Sequence, residues 1–262
     1  MALLELDGLE LSFAGVRALD DVSISVDEGQ LFAVIGPNGA GKTSLFNCIS
    51  GIYRPQKGKV RFGGRDVTGT RPHAMARLGV ARMFQNLALF ENLTVLENLL
   101  IGRHHLYRAG FLRNALWTPG TRREEIVHRR RAEEVIDFLH LEKYRKTPVQ
   151  ILPYGVLKRV ELGRALCMEP KLLLLDEPTA GLNQEETEDM ARYVLDISEE
   201  LGVTQILIEH ELRFVMDLAE HVAVLDFGKK IAEGSPAEIA KDPNVIEAYI
   251  GGSHEAGEAA AS

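Results

Sequence analysis

The chain has 262 residues, 45% of them hydrophobic, and a formal charge of −8 at pH 7. This length is sufficient for one large domain with a buried core, and the acidic balance argues against nucleic acid as the main partner. Two cysteines far apart in sequence do not favour a disulfide framework, and no apolar run reaches the ~20 residues that span a bilayer. The N-terminus lacks the basic and apolar regions of a signal peptide, so we expect a cytoplasmic protein.

The first part of the chain alternates between apolar and polar side chains in several short runs, which predicts half-exposed strands. The predicted strands are Leu3–Asp7, Leu9–Phe13, Val22–Val26 and Lys59–Phe62. We expect these strands to pair in a small antiparallel sheet. The run Leu31–Ile35 is apolar throughout and predicts a neighbouring buried strand.

A glycine-rich loop follows the strand Leu31–Ile35 and precedes a helix predicted at Ser44–Ser50. The loop reads Gly36-Pro37-Asn38-Gly39-Ala40-Gly41-Lys42-Thr43. This is the complete spacing of a P-loop, in the strand–loop–helix context that the motif requires. Its backbone N–H groups would surround phosphate oxygens, Lys42 would reach the β- and γ-phosphates, and the Thr43 hydroxyl would bind Mg²⁺. The N-terminus of the helix that begins at Ser44 also favours an anion.

Short apolar runs alternate with helical stretches through the rest of the chain, as in a parallel sheet covered on both faces. The predicted strands are Val80–Phe84, Leu172–Asp176, Gln205–Glu209 and Val222–Asp226. The strand pattern disappears between residues 93 and 153. Helices are predicted there at Leu96–Ile101 and Ile126–Leu139, with a break between them at Pro119-Gly120. A mainly helical insertion into the α/β core follows from this pattern.

Two carboxylates, Asp176 and Glu177, come directly after the apolar run Leu172–Leu175. A buried strand would place both at the carboxyl edge of the sheet, where α/β proteins present ligands. Asp176 suits the shell of a Mg²⁺ ion, and Glu177 is placed to polarise an attacking water. The simpler alternative is an acidic strand end that caps the turn at Pro178.

From Leu3 to about Gly252 the chain resembles the ATPase subunit of an ABC transporter. The resemblance rests on an ordered set of motifs besides the P-loop and the acidic pair. They are Gln85 of the Q-loop, Leu152-Pro153-Tyr154-Gly155 at the signature, Ala180-Gly181-Leu182-Asn183 of the D-loop, and the switch histidine His210. Phe13 lies where the family stacks an aromatic ring on adenine.

The resemblance implies an α/β fold with a P-loop NTPase (RecA-like) core and a mixed sheet, an N-terminal antiparallel β subdomain and an inserted α-helical subdomain. A single ABC ATPase domain is expected over residues 1–252. Within it, residues 1–87 and 160–252 would form the core, and about 88–159 the helical subdomain with the signature. Residues 253–262 are small and polar, and we expect a disordered tail.

The resemblance also assigns roles at the site, with ATP and Mg²⁺ as the implied ligands. ATP would be held by residues 36–44 and Phe13. The expected catalytic residues are Glu177, His210 and Gln85, and the expected metal-binding residues are Thr43, Gln85 and Asp176. One chain then carries half of each site, and a second ATPase subunit, identical or related, completes it.

The signature departs from the usual family sequence Leu-Ser-Gly-Gly-Gln. Here Pro153 and Tyr154 replace the serine and the first glycine, and Gly155 with the following helix N-terminus remains to meet an anion. We still expect Pro153, Tyr154 and Gly155 to contact the partner's nucleotide. This variant, together with Asn183 in place of aspartate and Glu209 before the histidine, resembles the ATPases of branched-chain amino acid importers.

The implied function is ATP hydrolysis that drives import of branched-chain amino acids or a related small polar solute. Membrane permease subunits would be direct partners and a solute-binding protein an indirect one, with the chain peripheral at the cytoplasmic face. Exporter ATPases, such as the lipopolysaccharide type, and non-transport ABC ATPases stay open as alternatives. The segment from Arg103 to Arg131 holds eight Arg against two Glu. It is either a solvated insertion or a surface that docks on a partner or a membrane.

Overall fold

Two β-sheets with helices packed around them form the structure, a computed structural model that describes residues 1–84, 87–107, 119–209 and 212–249. The smaller sheet is antiparallel and has the strand order β2-β1-β4-β5. Its strands are β1 (Ala2–Phe13), β2 (Val16–Asp27), β4 (Lys57–Phe62) and β5 (Arg65–Asp66). The expected antiparallel subdomain is therefore confirmed.

The two strands predicted at Leu3–Asp7 and Leu9–Phe13 are one continuous strand, β1. Gly8 lies between them with φ +59°, and the pairing of β1 with β2 shifts register between Leu6 and Leu9. A glycine in this conformation interrupts the alternation of side chains without ending the strand, because pairing resumes on both sides. The prediction of two strands was wrong for this reason.

The larger sheet is mixed and has the strand order β10-β9-β3-β8-β7-β6. Its strands are β3 (Leu31–Ile35), β6 (Val80–Met83), β7 (Leu172–Asp176), β8 (Thr204–Ile208), β9 (His221–Asp226) and β10 (Lys229–Gly234). All neighbours are parallel except β9 and β10. The prediction missed β10, since its mixed, partly exposed side chains give no apolar run. The other five strands of this larger sheet agree with the predicted strands to within about one residue at each end.

Eight labelled helices surround the sheets in the described part of the chain. They are α1 (Lys42–Ile49), α2 (Pro72–Leu78), α3 (Val95–Gly102), α4 (Pro119–Phe138), α5 (Tyr154–Leu166), α6 (Gln184–Glu199), α7 (Leu212–Leu218) and α8 (Pro236–Ile239). Pro119-Gly120 forms the start of α4, which therefore begins earlier than the helix predicted from Ile126; proline is well tolerated in a first turn. Of these helices, none has the length and apolar character to cross a membrane.

The central sheet is covered on both faces, as its apolar strands predict. Phe32 and Val34 pack with the antiparallel sheet and α1, whereas Leu31, Ala33 and Ile35 pack with residues of α3 to α6. Successive residues of a strand point to opposite faces, so each face has its own apolar cluster. The sheet is thus held rigidly between two layers, and its carboxyl edge stays accessible.

The stretch between β6 and β7 contains helices and no strand within its described residues, which confirms the inserted helical region. Helix α3 packs against α4 and α5, and it approaches α5 so closely that a Cβ on Gly102 would lie 2.3 Å from the carbonyl oxygen of Arg164. The division at residues 87/88 and 159/160 stays a prediction. Residues 253–262, expected to be a tail, lie outside the described residues.

Candidate functional site

The register of the central sheet brings the predicted site residues to one edge. Ile208 of β8 pairs with Val34 of β3 on one side and with Asp176 of β7 on the other. The backbone N–H of Glu177 donates to the carbonyl oxygen of Ile208, 2.9 Å away. The P-loop, the acidic pair and the residues that follow β8 therefore meet at this carboxyl edge, as the sequence predicted.

Two of the three P-loop glycines, Gly36 and Gly41, are required by their surroundings. Gly36 and Gly41 have φ of +150° and +102°. A Cβ on Gly36 would lie 2.0 Å from the carbonyl oxygen of Leu225, and one on Gly41 would lie 2.3 Å from that of Ala18. Because both obstacles are backbone atoms, no side chain is accommodated at either position. The loop is held in its curved form between β2 and β9.

Lys42 is the first residue of α1 and is 6% exposed. Its Nζ donates to the carbonyl oxygens of Gly36 and Pro37, at 2.5 and 2.9 Å. Burial lowers the pKa of Lys42, while the charges of Glu177 and Asp176 act in the opposite direction. The lysine thus lies inside its own loop and within electrostatic reach of the acidic pair.

Asp176 is almost fully buried and forms an ion pair that the sequence did not predict. Its Oδ2 accepts from Nη2 of Arg82 on β6 at 2.5 Å, and Nη1 of the same arginine donates to Oδ1 of Asn47 on α1 at 2.6 Å. Arg82 therefore connects the strand of Asp176 to the helix that follows the P-loop. A single charged residue within the apolar run Val80–Phe84 was the sequence signal for such a role.

The oxygen donors at this edge fit a magnesium ion. Thr43 supplies a hydroxyl and Asp176 a carboxylate, and Mg²⁺ combines one or two such groups with substrate phosphates and water. The other predicted metal-binding residue, Gln85, lies outside the described residues, as does His210.

Glu177 has an unusual backbone conformation, with φ +51°. Residues other than glycine pay a free-energy cost there and keep the conformation only when their surroundings impose it. The N–H of Glu177 donates to Ile208, and its carbonyl oxygen accepts from Nζ of Lys158 on α5 at 3.4 Å. Both peptide groups of the predicted base are thus fixed by other elements.

Glu209 follows β8 directly and is 4% exposed. Its Oε1 accepts from the backbone N–H of Thr179 at 3.0 Å and from the Thr179 hydroxyl at 2.6 Å. The residue before the predicted switch histidine therefore fixes the loop that follows Glu177. In the sequence, Glu209 was recognisable only as a subgroup marker, because its partner Thr179 is thirty positions away.

The signature residues lie at the start of α5. Pro153 is the N-cap and makes no side-chain capping bond, so the first N–H groups of α5 receive no side-chain cap. A Cβ on Gly155 would lie 2.2 Å from Oε1 of Glu186, and one on Gly181 would lie 3.0 Å from the ring of Tyr154. The signature thus packs directly on the D-loop and on the start of α6 in the same chain.

Asn183, predicted as the D-loop residue, caps helix α6. Its Oδ1 accepts from the N–H of Glu186 at 3.0 Å, and the Glu186 carboxylate accepts from the N–H of Asn183 at 3.1 Å. This reciprocal arrangement is a capping box. Asparagine and aspartate are similarly good N-caps, which accounts for asparagine at this position.

Phe13 lies at the end of β1, is 44% exposed and meets the ring of Tyr53 edge-on at 5.1 Å. An accessible aromatic face of this kind is suitable for stacking on a base. Its contact with adenine stays a prediction.

A groove of about 1330 Å³ lies between α2 with β6 and α3 with α5. Its lining is largely apolar and includes several basic side chains. The apolar members include Phe84, Phe90, Leu93, Leu100, Ile101 and Met168, and the basic members include Arg77, Arg82, His104 and Arg164.

Comparison with known proteins supports the same family. The family described as ABC transporter matches residues 19–180, and the one described as branched-chain amino acid ATP-binding cassette transporter matches residues 229–255. The chain is 39% identical to the high-affinity branched-chain amino acid transport ATP-binding protein BraF of Pseudomonas aeruginosa over 249 residues, 95% of this chain and 98% of that protein.

Two further similarities extend over the same length. The high-affinity branched-chain amino acid transport ATP-binding protein LivG of Salmonella typhimurium is 36% identical over 249 residues, covering 95% and 98% of the two chains. A crystal structure of the ADP conformation of an ATP-binding cassette of an ABC transporter superposes with a TM-score of 0.83 at 33% identity, covering 96% and 99%. The chain therefore belongs to the ABC transporter family, as an ATPase with the fold of an ATP-binding cassette.

Proposed function

We propose that this chain is the ATP-hydrolysing subunit of an importer for branched-chain amino acids or a related small polar solute. The relatives that match over nearly the whole chain are named for branched-chain amino acid transport. The match of residues 229–255 to a family of that description supports the same solute class independently of the nucleotide motifs.

The chain's own half of the ATP site is built from the P-loop and the acidic pair. The N–H groups of residues 36–44 surround the phosphates, and Lys42 turns from the loop carbonyls to the β- and γ-phosphates. Thr43, Asp176 and Gln85 would hold Mg²⁺, which would neutralise charge on the phosphates. Phe13 stacks on the adenine. Binding energy here comes mainly from positioning and charge.

Glu177 orients and polarises the water that attacks the γ-phosphate. Its carboxylate follows a rigid, buried strand, so its position relative to the P-loop is set by the sheet. His210 would stabilise the γ-phosphate, and Gln85 would complete the metal shell. Catalysis by this arrangement requires a fixed geometry rather than covalent chemistry.

A second ATPase subunit, a copy or a relative, completes the site. Pro153, Tyr154 and Gly155 present the N-terminus of α5 to the partner's nucleotide, and Asn183 lies beside them. The capping-box contact of Glu186 and its contact with Gly155 make the signature and the D-loop one unit. Closing and reopening of the pair is then the work step.

The membrane permease subunits bind in the groove between the core and the helical region, at the cytoplasmic face of the membrane. A largely apolar lining with several basic side chains suits an inserted helix. The solute-binding protein contacts this chain only through the permease. The exporter and non-transport alternatives are not favoured by the names of the relatives.

The main observation that supports ATP hydrolysis is that the P-loop, Asp176 and Glu177 meet at one edge of the sheet.

Glu177→Gln should reduce steady-state ATP hydrolysis by about 100-fold or more, since the polarising base is lost, and should retain ATP-dependent dimerisation. Hydrolysis is measured by phosphate release and dimerisation by sedimentation. Glu200→Gln, an exposed change after α6, is the control. Hydrolysis near the wild-type rate in Glu177→Gln would show that the base is another group.

A further inference from the structure

A lysine is completely buried on the helix that carries the signature. Lys158 of α5 has 0% exposure, and its Nζ lies 3.4 Å from the carbonyl oxygen of Glu177 and 5.9 Å from the centre of the Tyr154 ring. Burial lowers the pKa of Lys158, and the carboxylates of Glu161 and Glu209 are the strongest influences in the opposite direction. A buried lysine is costly unless it is partnered, so its retention at this point requires a reason.

The backbone of Glu177 needs support that Lys158 is placed to give. Its φ of +51° is unfavourable for a side chain of this size. Ile208 holds the N–H side of the residue, and Lys158 reaches the carbonyl side. A rotation of either peptide group would move the Glu177 carboxylate relative to the P-loop.

Lys158 also lies within a wider buried network. The Glu209 carboxylate, one of its electrostatic partners, accepts two hydrogen bonds from Thr179, two positions after Glu177. The loop after β7 is thus held at Glu177 by α5 and at Thr179 by the end of β8. These contacts connect α5 with both strand ends at the carboxyl edge.

We propose that Lys158 is a positioning residue that fixes the backbone of Glu177 and thereby the direction of its carboxylate. Since Lys158 and the signature are on one helix, the element that meets the partner's ATP also sets the base at the chain's own ATP. This inference rests on the proposed function of Glu177.

Removal of Lys158 should affect the reaction step and not nucleotide binding. The described neighbours of Lys158 are the Glu177 carbonyl oxygen, the Tyr154 ring and nearby carboxylates. Neither the hydrogen bond nor the ring contact involves the P-loop, whose Gly36 and Gly41 lie against the backbone of Leu225 and Ala18. In the complete chain, Lys158→Met should lower kcat about 10- to 100-fold, the effect expected when a reacting group is displaced by about 1 Å. The KM and the Kd for ATP should stay within about twofold, and Lys158→Gln, which keeps a donor, should recover most of kcat.

Three controls separate this effect from loss of the fold or of the proposed function. Arg159→Met removes the neighbouring cation of α5, which donates to Leu139 and Tyr193, and should leave kcat unchanged. Glu177→Gln in the same assay tests the base itself. Lys158→Met combined with Glu177→Gln should dimerise with ATP as Glu177→Gln alone does. Circular dichroism and thermal unfolding verify that each variant is folded.

Three outcomes would overturn the inference. The first is a normal kcat in Lys158→Met while Glu177→Gln is inactive. The second is an equal loss of kcat in the Met and Gln variants, accompanied by weaker ATP binding, which would indicate a role in the fold. The third is loss of ATP-dependent dimerisation in the double variant, which would place the effect at the signature. Hydrolysis near the wild-type rate in Glu177→Gln would instead contradict the proposed function. If Lys158→Met does not fold, Lys158→Gln alone serves as the test. A kcat loss below about twofold with unchanged stability supports rescue by the hydrogen-bond donor. A kcat loss comparable to that of Glu177→Gln contradicts such rescue.

Discussion

Several charged side chains are buried around the carboxyl edge of the central sheet, where apolar residues could pack without losing hydration free energy. Arg82, Lys158, Glu161 and Glu209 all have side chains that are almost fully inaccessible. Each buried charge loses several kcal/mol of hydration, which partners only partly restore. Groups of this kind concentrate where a protein needs fixed geometry or shifted pKa values. We therefore consider this cluster to be part of the site.

Glu161 gives this cluster a measurable pH dependence. It has 0% exposure, and burial raises its pKa from 4.5 to about 7, against the influence of Lys158 and Arg164. Because the folded pKa is the higher one, the stability that protonation contributes is present below about pH 4.5 and is lost as pH rises to about 7. Glu161→Gln should remove this loss.

The free energy of unfolding of Glu161→Gln relative to wild type should therefore increase by about 2 kcal/mol between pH 5.5 and 8, with no further change above pH 8. Urea unfolding followed by circular dichroism at several pH values measures this difference. Glu199→Gln, which removes an exposed carboxylate at the end of α6, is the matched control. A pH-independent difference between Glu161→Gln and wild type would contradict the shifted pKa.

Arg82 joins three secondary-structure elements through one guanidinium group. It lies on β6, pairs with Asp176 of β7 and donates to Asn47 of α1. It also lines the groove, where it stacks within 5.0 Å of the Phe84 ring. The wall of the groove is thus in direct contact with a predicted metal-binding carboxylate.

The pair should show strong coupling in a double-mutant cycle. Arg82→Met or Asp176→Asn alone leaves a buried charge without its partner and should cost about 3–5 kcal/mol of unfolding free energy. The double variant should cost clearly less than the sum, because neither charge remains. Urea unfolding of the four proteins measures the coupling. Additive losses would show that the two side chains do not stabilise each other.

The cap of α6 permits a separate test on the D-loop. Asn183→Ala should lower the unfolding free energy by about 1 kcal/mol, because the N–H of Glu186 loses its acceptor, whereas Asn183→Asp should be nearly neutral. Thermal unfolding compares the two variants. An equal loss in Ala and Asp would mean that the amide group, and not the cap, is required at this position.

The groove between the core and the helical region is the surface at which we propose that a membrane partner binds. Phe90 lines this groove and is 53% exposed, while its backbone is held by Asn98. Its side chain is therefore available to an inserted helix at little cost to the fold. An accessible aromatic residue in such a groove is the kind of anchor that dominates binding.

Phe90→Asp should weaken assembly with the permease subunits by roughly tenfold or more, about 1.4 kcal/mol, and leave ATP affinity unchanged. Co-purification from solubilised membranes with the native partners measures assembly, and a fluorescent nucleotide measures ATP binding. Leu201→Asp, an exposed apolar change that is absent from the groove lining, is the control. Unchanged assembly in Phe90→Asp would exclude this groove as the docking surface.

The sequence was sufficient for those parts of the molecule whose physics is local. The P-loop needs glycines between a strand and a helix, and the apolar runs of β3, β7 and β8 need burial on both faces. The order of these segments along the chain therefore predicted the fold class. It also predicted that Gly36–Thr43, Asp176 and Glu177 lie at the edge of the sheet. Strand β10 and the continuity of β1 were missed because partial exposure and a single glycine blur the alternation.

The contacts that orient those residues could not be predicted from the sequence alone. Arg82 and Asp176 are 94 positions apart, and Lys158 and Glu177 are 19 apart on different elements. They meet because β6 lies beside β7 and because α5 packs across the sheet edge. Motifs specify which groups perform the chemistry, since short-range spacing and residue type carry that information. The residues that hold these groups in place depend on strand order and packing. Strand order and packing are determined by the whole chain, because they result from burial of its two apolar clusters.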